Sequence, residues 1–377
     1  MSTPLPSYTS GVWDGPMLGD TIGDNLDRTV AAHGDRDALI DHASGRRWTY
    51  REFAEQVNGL AAGLLSRGVG KGDRVGIWAP NCPEWTFTQY ATAKIGAILV
   101  NINPAYRSHE LQYVLEQAGI STLVSAASFK TSDYASMIET VRPQCPDLTS
   151  VLLLGSPEWD AVLADGLAAQ ASDPAPLAAA QAALSADDAI NIQYTSGTTG
   201  FPKVRRSATT TFSTTASSSA SCATTAKSIG CASRCRSTCF GMVMGNLACT
   251  SHGAAMVIPG PAFDPRASLE AVQAEKCTSL YGVPTMFIAE LALPDFESFD
   301  LSSLRTGIMA GSPCPVEVMK QVIDRMGMAE VSICYGMTET SPVSLQTRSD
   351  DSIAQRTETV GRVGPTSRSR SSIRQQD

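Results

Sequence analysis

The sequence predicts a layered α/β fold with parallel strands. Short β-branched runs alternate with helical patterns up to residue 126, the alternation resumes near Phe240, and the later strand-like runs end in small-residue loops. At 377 residues the chain has the length for two or more subdomains.

The elements follow in order. From 49 to 67, "TYREFAEQVNGLAAGLLSR" places Phe53, Val57, Leu60, Ala61, Leu64 and Leu65 on one stripe behind a threonine cap, the pattern of an amphipathic helix. Next come "RVGIWA" as a strand, "CPEWTFTQYATAKIG" as a helix, "AILVNI" as a strand, "SHELQYVLEQAG" as a helix and "STLVSA" as a strand. The stretch 171–188, rich in Ala, Pro and Asp, reads as a solvated connection between two lobes, with a surface helix as the competing reading. After it the apolar run "AINIQYT" is a strand leading directly into a glycine loop. Beyond Phe240, "GAAMVIPG", "CTSLYGVP", "LRTGIMAG" and "EVSICYGM" read as strands ending in loops, with "VEVMKQVIDRMG" as a helix between the last two. Ligands in open α/β sheets sit at such strand ends. The expected division is a first α/β subdomain over 1–187 and a second over 188–365, the latter interrupted at 204–239, with an aberrant tail at 366–377.

Composition narrows the classes. Hydrophobic residues at 43% and charged residues at 18% fit a soluble enzyme, and no apolar run approaches the roughly 18 residues that span a bilayer. The start, "MSTPLPSYTSGVWDGP", has neither a basic region nor an apolar stretch, so the expected location is the cytoplasm. A formal charge of −8 argues against a nucleic-acid surface. His33, His42, His109 and His252 are scattered, and the ten cysteines read as buried thiols. The cluster Cys231, Cys235 and Cys239 has no metal-site spacing and reads as accidental.

Two stretches carry chemistry. "TSGTTGFPK" gathers two glycines, four hydroxyl side chains and a lysine within nine residues. Glycines let successive N–H groups turn onto an anion, hydroxyls add donors, and Lys203 adds a mobile charge, which together make a phosphate cradle of a type distinct from Walker A. "YGMTET" follows a strand and presents the Tyr335 ring, the Thr338 hydroxyl and the Glu339 carboxylate. Mg²⁺ takes oxygen ligands and bridges few carboxylates to substrate phosphates, a role open to Glu339. A third piece, "AGSPCP", ends another strand in a tight turn that lets a flat ring approach the backbone.

These pieces in this order, with "YGVPT" between them, resemble the AMP-forming acyl-CoA synthetases of the adenylate-forming superfamily. The resemblance runs from about Asp24 to Pro365, and "RWTYREF", "PNCPEW" and "NINPAYRSHELQYVL" are similar to the fatty-acid branch, close to the medium-chain acyl-CoA ligases. It implies the layered parallel-sheet N-terminal domain of that fold, with the smaller C-terminal domain missing. It also implies a two-step ligation: a fatty carboxylate attacks the α-phosphate of ATP, pyrophosphate leaves, and coenzyme A captures the acyl-adenylate. Thr195, Ser196, Gly197, Thr198, Thr199, Gly200 and Lys203 would hold the β- and γ-phosphates. Thr338 would contact the α-phosphate and Glu339 the magnesium. Gly311, Ser312, Pro313, Cys334, Tyr335, Gly336 and Met337 would frame the adenine. Tyr281, Gly282, Val283, Pro284 and Thr285 would border the acyl tunnel. Two other readings stay open: a non-catalytic ATP- or AMP-binding remnant, and an acyl-AMP ligase that uses another acceptor.

One segment departs from the family. Val204 stands where relatives carry glycine, and residues 204–239 hold 17 Ser or Thr among 36 positions, with no Asp, Glu or Leu. Such a composition cannot supply the apolar face of a helix, and local disorder is expected there. A reading shifted by one base turns "VRRSATTTFSTTA" into the family-like "GATLSHHNILNNG", and "SCATTAKSIGCASRCRST" into "ELCNYSEVDRLCIPVPFY". A second lesion restores the frame at "CFGM". The tail "TSRSRSSIRQQD" rereads in the same way as "HLEVKIVDPATG". The expectation is a frameshifted and truncated family member. The ribose-binding aspartate, the hinge and the catalytic lysine of the family would lie past Asp377, and little activity is expected of the chain.

Overall fold

The computed structural model describes residues 19–194, 241–340 and 342–364, and the backbone of strands at 7–10, 195, 203–208, 231–232 and 368–371. The first half runs β1 (Ser7–Ser10), α1 (Ile22–His33), the hairpin β2 (Asp37–Asp41) and β3 (Arg46–Thr49), α2 (Tyr50–Ser66), β4 (Arg74–Trp78), α3 (Pro83–Ile95), β5 (Ile98–Asn101), α4 (Ser108–Ala118) and β6 (Thr122–Ser125). A small hairpin, β7 (Ser128–Phe129) and β8 (Ser132–Asp133), is followed by α5 (Tyr134–Val141), β9 (Ser150–Leu153), α6 (Pro157–Ser172) and α7 (Ala175–Ala182).

The expected helix from 49 is α2, and its start shows why it forms. The Glu52 amide donates to Thr49 Oγ1 at 3.3 Å, and the Thr49 amide donates to the Glu52 carboxylate at 2.8 Å, a reciprocal capping box. Phe53, Val57, Leu60, Ala61 and Leu64 are buried along its inner stripe, and Leu65 packs at the edge.

Within 171–188 the segment Ala175–Ala182 forms α7, between the end of α6 at Ser172 and a turn, so the middle of the stretch is the surface helix of the competing reading. Alanine is the strongest helix former, and Pro176 falls in the first turn of α7, where a missing N–H costs little. Leu177 is buried, and Gln181 Nε2 donates to Asp24 at 2.9 Å and to Asp27 at 2.8 Å.

The second half runs β10 (Ala189–Thr195), β11 (Lys203–Ala208), β12 (Cys231–Ala232), a π-helical stretch Gly241–Leu247 continuing into α8 (Ala248–Ser251), β13 (Met256–Ile258), α9 (Pro265–Glu275), β14 (Ser279–Gly282) and α10 (Pro284–Leu291). Then follow β15 (Thr306–Ala310), α11 (Val316–Met326), β16 (Glu330–Tyr335), β17 (Leu345–Gln346), α12 (Ile353–Glu358), β18 (Arg362–Val363) and β19 (Arg368–Ser371).

Two sheets carry the architecture. One has the order β11-β10-β5-β4-β6-β9, the other β18-β17-β16-β15-β14-β12-β13-β2-β3, and both are parallel in their central strands. Residue 188 falls between α7 and β10, and strands on each side of it join the sheet of the other: β2 and β3 extend the nine-stranded sheet, β10 and β11 the six-stranded one. β12, drawn from the Ser/Thr-rich segment, lies between β13 and β14 and runs parallel to both. β19 pairs antiparallel with β1.

Three clusters of buried side chains define the layers. Trp78, Val100 and Leu123 pack with α4 and α5 outside the six-stranded sheet, and Val257, Leu280 and Met309 pack with α9, α10 and α11 outside the nine-stranded one. Between the sheets, Ile77 and Leu99 share a core with Leu39, Tyr281 and Cys334. α3 touches β4 and β5 of one sheet and β2 of the other, which explains why it is buried on nearly every side and lacks an amphipathic pattern. Among the described residues no helix is long and apolar enough to cross a membrane.

Candidate active site

The strands β14, β15 and β16 are parallel neighbours, so their C-terminal ends lie side by side. Gly282 is opposite Met309, and Ala310 is opposite Cys334. This register brings the "YGVPT", "AGSP" and "YGMTET" loops to one edge. The backbone at Gly311 has φ +95°, a left-handed value that L side chains resist, and Gly311 packs on Val283 of the neighbouring loop. At Gly336 a β-carbon would fall 2.0 Å from the Pro342 carbonyl oxygen, so only glycine lets the chain fold back there.

The "YGMTET" loop is held by its own bonds. The Ser344 amide donates to Tyr335 O at 2.9 Å, the Met337 amide to Thr340 Oγ1 at 3.2 Å, and Ser344 Oγ to Thr340 Oγ1 at 2.6 Å. Tyr335 and Met337 are thereby presented at 52% and 53% exposure, a flat apolar face at a strand end. Thr338 is half-buried and Glu339 exposed in the short turn Thr338–Thr340. Gly311, Ser312, Pro313 and Gly336 are exposed beside them, whereas Cys334 is buried beneath. Of the tunnel candidates, Tyr281, Gly282 and Pro284 are buried, Val283 is half-buried and Thr285 is exposed.

The glycine loop leaves the other sheet. Thr195, the last residue of β10, is the cross-strand partner of Lys203, the first of β11, so the loop is the tip of an antiparallel hairpin. Ser196, Gly197, Thr198, Thr199 and Gly200 lie outside the described residues, as does the Lys203 side chain.

The C-terminal edges of the two sheets meet. The Asn81 amide, just past β4, donates to Pro261 O, just past β13, at 3.2 Å. Around this contact opens a depression of about 360 Å³ whose lining includes Asn81, Asn103, Arg107, Lys130, Ser132 and Pro261. Tyr134 stacks on Trp78 with ring centres 3.7 Å apart and donates to Pro104 O at 2.5 Å, while Trp78 Nε1 donates to Asn103 O at 3.1 Å. Burial pushes the Tyr134 phenol up to about 12. Arg107 donates to Ser132 Oγ at 2.6 Å, and Lys130 sits in a tight turn at φ +52°. These lining residues were not singled out from the sequence. Their position directly after strands was the available signal.

Among the described residues no group of three or more His, Cys, Asp and Glu could hold a metal ion. A magnesium ion bound to phosphate oxygens needs fewer protein ligands, and the exposed oxygen donor of Glu339 at the strand ends fits it.

Two sheets with loops in this arrangement form the α/β N-terminal domain of the adenylate-forming fold. The chain belongs to the AMP-binding enzyme family, which it matches over residues 26–370. It is 44% identical over 369 residues to a Bacillus subtilis (strain 168) protein named "Putative acyl-CoA synthetase YngI", covering 93% of this chain and 66% of that protein. It is 37% identical over 392 residues to the mitochondrial medium-chain acyl-CoA ligase ACSF2 of Mus musculus, covering 97% of this chain and 63% of the relative. The chain thus spans just under two thirds of the length of these relatives. Two solved structures share the fold. The anthranilate CoA ligase AuaEII in complex with anthranoyl-AMP has a TM-score of 0.77 at 24% identity, covering 93% of this chain and 65% of that one. The N-terminal domain of FACL13 from Mycobacterium tuberculosis has a TM-score of 0.76 at 23% identity, covering 91% and 82%.

Proposed function

We propose that this chain derives from an ATP-dependent acid–thiol ligase that joins a fatty acid to coenzyme A through an acyl-adenylate. The observation that carries the proposal is the meeting of the two C-terminal sheet edges. The hairpin tip between Thr195 and Lys203 leaves one, and the loops bearing Gly311, Tyr335 and Glu339 leave the other.

The roles follow from the chemistry of each group. The hairpin tip and Lys203 hold the β- and γ-phosphates, and the Thr338 hydroxyl donates to the α-phosphate. Tyr335 and Met337 cover one face of the adenine, with the backbone at Gly311, Ser312, Pro313 and Gly336 bordering it above buried Cys334. The acid enters past Tyr281, Gly282, Val283, Pro284 and Thr285, and one carboxylate oxygen attacks the α-phosphorus as pyrophosphate leaves. Fixed donors around that phosphorus supply the electrostatic stabilisation phosphoryl transfer requires. Magnesium, held by Glu339, neutralises phosphate charge when bound. Arg107 and Lys130, at the depression between the sheets, offer cations to the phosphates of coenzyme A.

A specific observation favours a weaker activity for the chain as it stands. β12 occupies a central position between two parallel strands, where both faces are covered and apolar runs are the rule. Its residues come from a segment dominated by Ser, Thr and Arg, whereas the shifted reading puts Leu, Cys and Ile at the positions of Cys231, Ala232 and Ser233. The same shift puts "EVKI" at β19, in place of "RSRS". Both agree with a frameshift, and with a second reading in which this chain binds ATP without completing the ligation.

The test is pyrophosphate release from ATP–Mg²⁺ with octanoate, on this chain and on its frame-restored counterpart, with and without coenzyme A. Acid-dependent release that yields an acyl thioester supports the ligase. Release without a thioester points to another acceptor. ATP binding with no release from either protein leaves only the nucleotide-binding reading.

A further inference from the structure

The core between the sheets is apolar along most of its length, yet it holds side-chain amides that the adenylation chemistry does not use. Asn191, Gln193, Gln89 and Asn246 are 1%, 4%, 3% and 0% exposed. Asn191 and Gln193 lie two apart on β10, opposite Leu99 and Asn101 of β5, and Leu99 belongs to the interlayer core. Ile192 and Tyr194 belong to the cluster on the other face. Asn246 sits in the π-helical stretch, a rare backbone form concentrated at functional sites.

Internal bonds satisfy one half of each amide. Asn191 Nδ2 donates to Leu99 O at 3.1 Å, Asn101 Nδ2 donates to Gln193 Oε1 at 3.3 Å, and Asn246 Nδ2 donates to Gln89 Oε1 at 2.6 Å. The other halves, Asn191 Oδ1, Gln193 Nε2 and Asn246 Oδ1, are enclosed and without a partner. Buried polar atoms of native proteins are nearly always paired. Three orphans border one interlayer, where α3 touches β5, the neighbour of β10, and reaches the π-helical stretch through Gln89, whose Nε2 donates to Met242 O at 3.5 Å; together they mark a place for a polar group.

The set is two acceptors and one donor. A hydroxyl accepts from an amide N–H and donates to an amide oxygen through a single atom, which hydrocarbon cannot do. Residues two apart on a strand are about 6.6 Å apart along the backbone, near twice the length of an ordinary hydrogen bond. We infer that the acid taken into this interlayer carries a hydroxyl on its chain, read by Gln193 Nε2 with Asn191 Oδ1 or Asn246 Oδ1. The inference rests on the acyl-adenylation reading above. Gln193 stands two residues before Thr195, so the reader of the acyl chain and the base of the phosphate loop share one strand.

Calorimetric titration of the 377-residue chain, with AMP present, compares octanoate with octanoates bearing a single hydroxyl at successive carbons. One positional isomer binds roughly tenfold more tightly than octanoate, the effect of one to two hydrogen bonds. Gln193→Leu abolishes that preference and leaves the affinity for octanoate unchanged. Octanoate bound as tightly as every hydroxylated isomer overturns the inference alone, and the amides then hold water. Binding of no acid at all overturns it together with the reading beneath it. Should Gln193→Leu fail to fold, the ranking of acids on the unchanged chain decides.

Discussion

A β-carbon on Gly311 would lie 3.0 Å from Val283 Cγ1, so the loop after β15 is seated directly on the loop after β14. The same residue holds φ +95°, and Gly311→Ala therefore meets both backbone strain and a side-chain clash. Left-handed strain of this kind costs about 1–3 kcal/mol. We expect urea denaturation to show a loss in that range and ATP titration to show an affinity about tenfold lower. An alanine variant with unchanged stability and unchanged ATP affinity would show that the proposed adenine border does not depend on this turn.

Glu339→Gln tests the proposed cation role without disturbing the fold. The side chain is exposed in a short turn, and surface changes of this sort stay within about 0.5 kcal/mol. ATP affinity in the presence of Mg²⁺ should fall about tenfold, the loss of one charge-assisted contact. Without Mg²⁺ the variant and the parent should bind ATP alike. Equal loss in both conditions would assign Glu339 to the nucleotide itself.

Much of this arrangement was legible because it is local. Thr49 and the apolar stripe behind it announce α2, and the strand-to-loop transitions at Tyr281, Ala310 and Tyr335 follow from apolar runs that stop at glycine or proline. What was not legible is relational. Nothing local tells β2 and β3 to join the sheet built by the second half, or makes Thr195 the partner of Lys203. Of the prolines in 171–188, Pro174 stands in the break between α6 and α7, whereas Pro176 sits in the first turn of α7, where a missing N–H is tolerated. Within "AINIQYT" the apolar residues dominate the pattern, so the inward-facing Asn191 and Gln193 pass unnoticed until the register with β5 is known.

The ion pair of Lys94 and Asp27 predicts an asymmetry. Lys94 Nζ is 2.6 Å from Asp27 Oδ1, with the lysine side chain 3% exposed and the aspartate 47%. Removing the carboxylate leaves the buried ammonium only the second acid of the depression that both line, Asp24, whereas replacing the lysine leaves only surface acids. Asp27→Asn should cost about 2–3 kcal/mol, discounted for the exposed partner, and Lys94→Met about 1 or less. Chemical denaturation of the two variants checks the order, and a larger loss for Lys94→Met would contradict it.

Tyr134 ties stability to alkaline pH. Burial pushes its phenol up to about 12 from an ordinary value of 10.0, so the folded state favours the neutral form. Its contribution is complete below the unfolded value and is lost as pH rises from about 10 through about 12. Tyr134→Phe keeps the stack on Trp78, gives up the bond to Pro104 O, and should cost about 0.5–1.5 kcal/mol at neutral pH. Melting temperatures measured from pH 8 to pH 12 should then fall less steeply for the variant than for the parent, and parallel curves would assign the alkaline loss to other groups.

The segment 204–239 gives the most decisive comparison. Its β12 residues stand between β13 and β14, where a covered parallel strand gains from apolar side chains on both faces. Restoring one base after codon 203 and two after codon 238 replaces a Ser/Thr-rich strand segment with one that contains Leu, Cys, Ile, Val and Pro. Each large apolar side chain buried there stabilises by about 1.5–3 kcal/mol, a sizeable share of a total of about 5–15. The restored protein should therefore melt at a clearly higher temperature and show protection of the β12 amides in hydrogen exchange, with ATP binding stronger than in the unrestored chain. A restored protein that melts no higher, with β12 amides no better protected, would mean that the sequence as it stands is the one this sheet is built to hold.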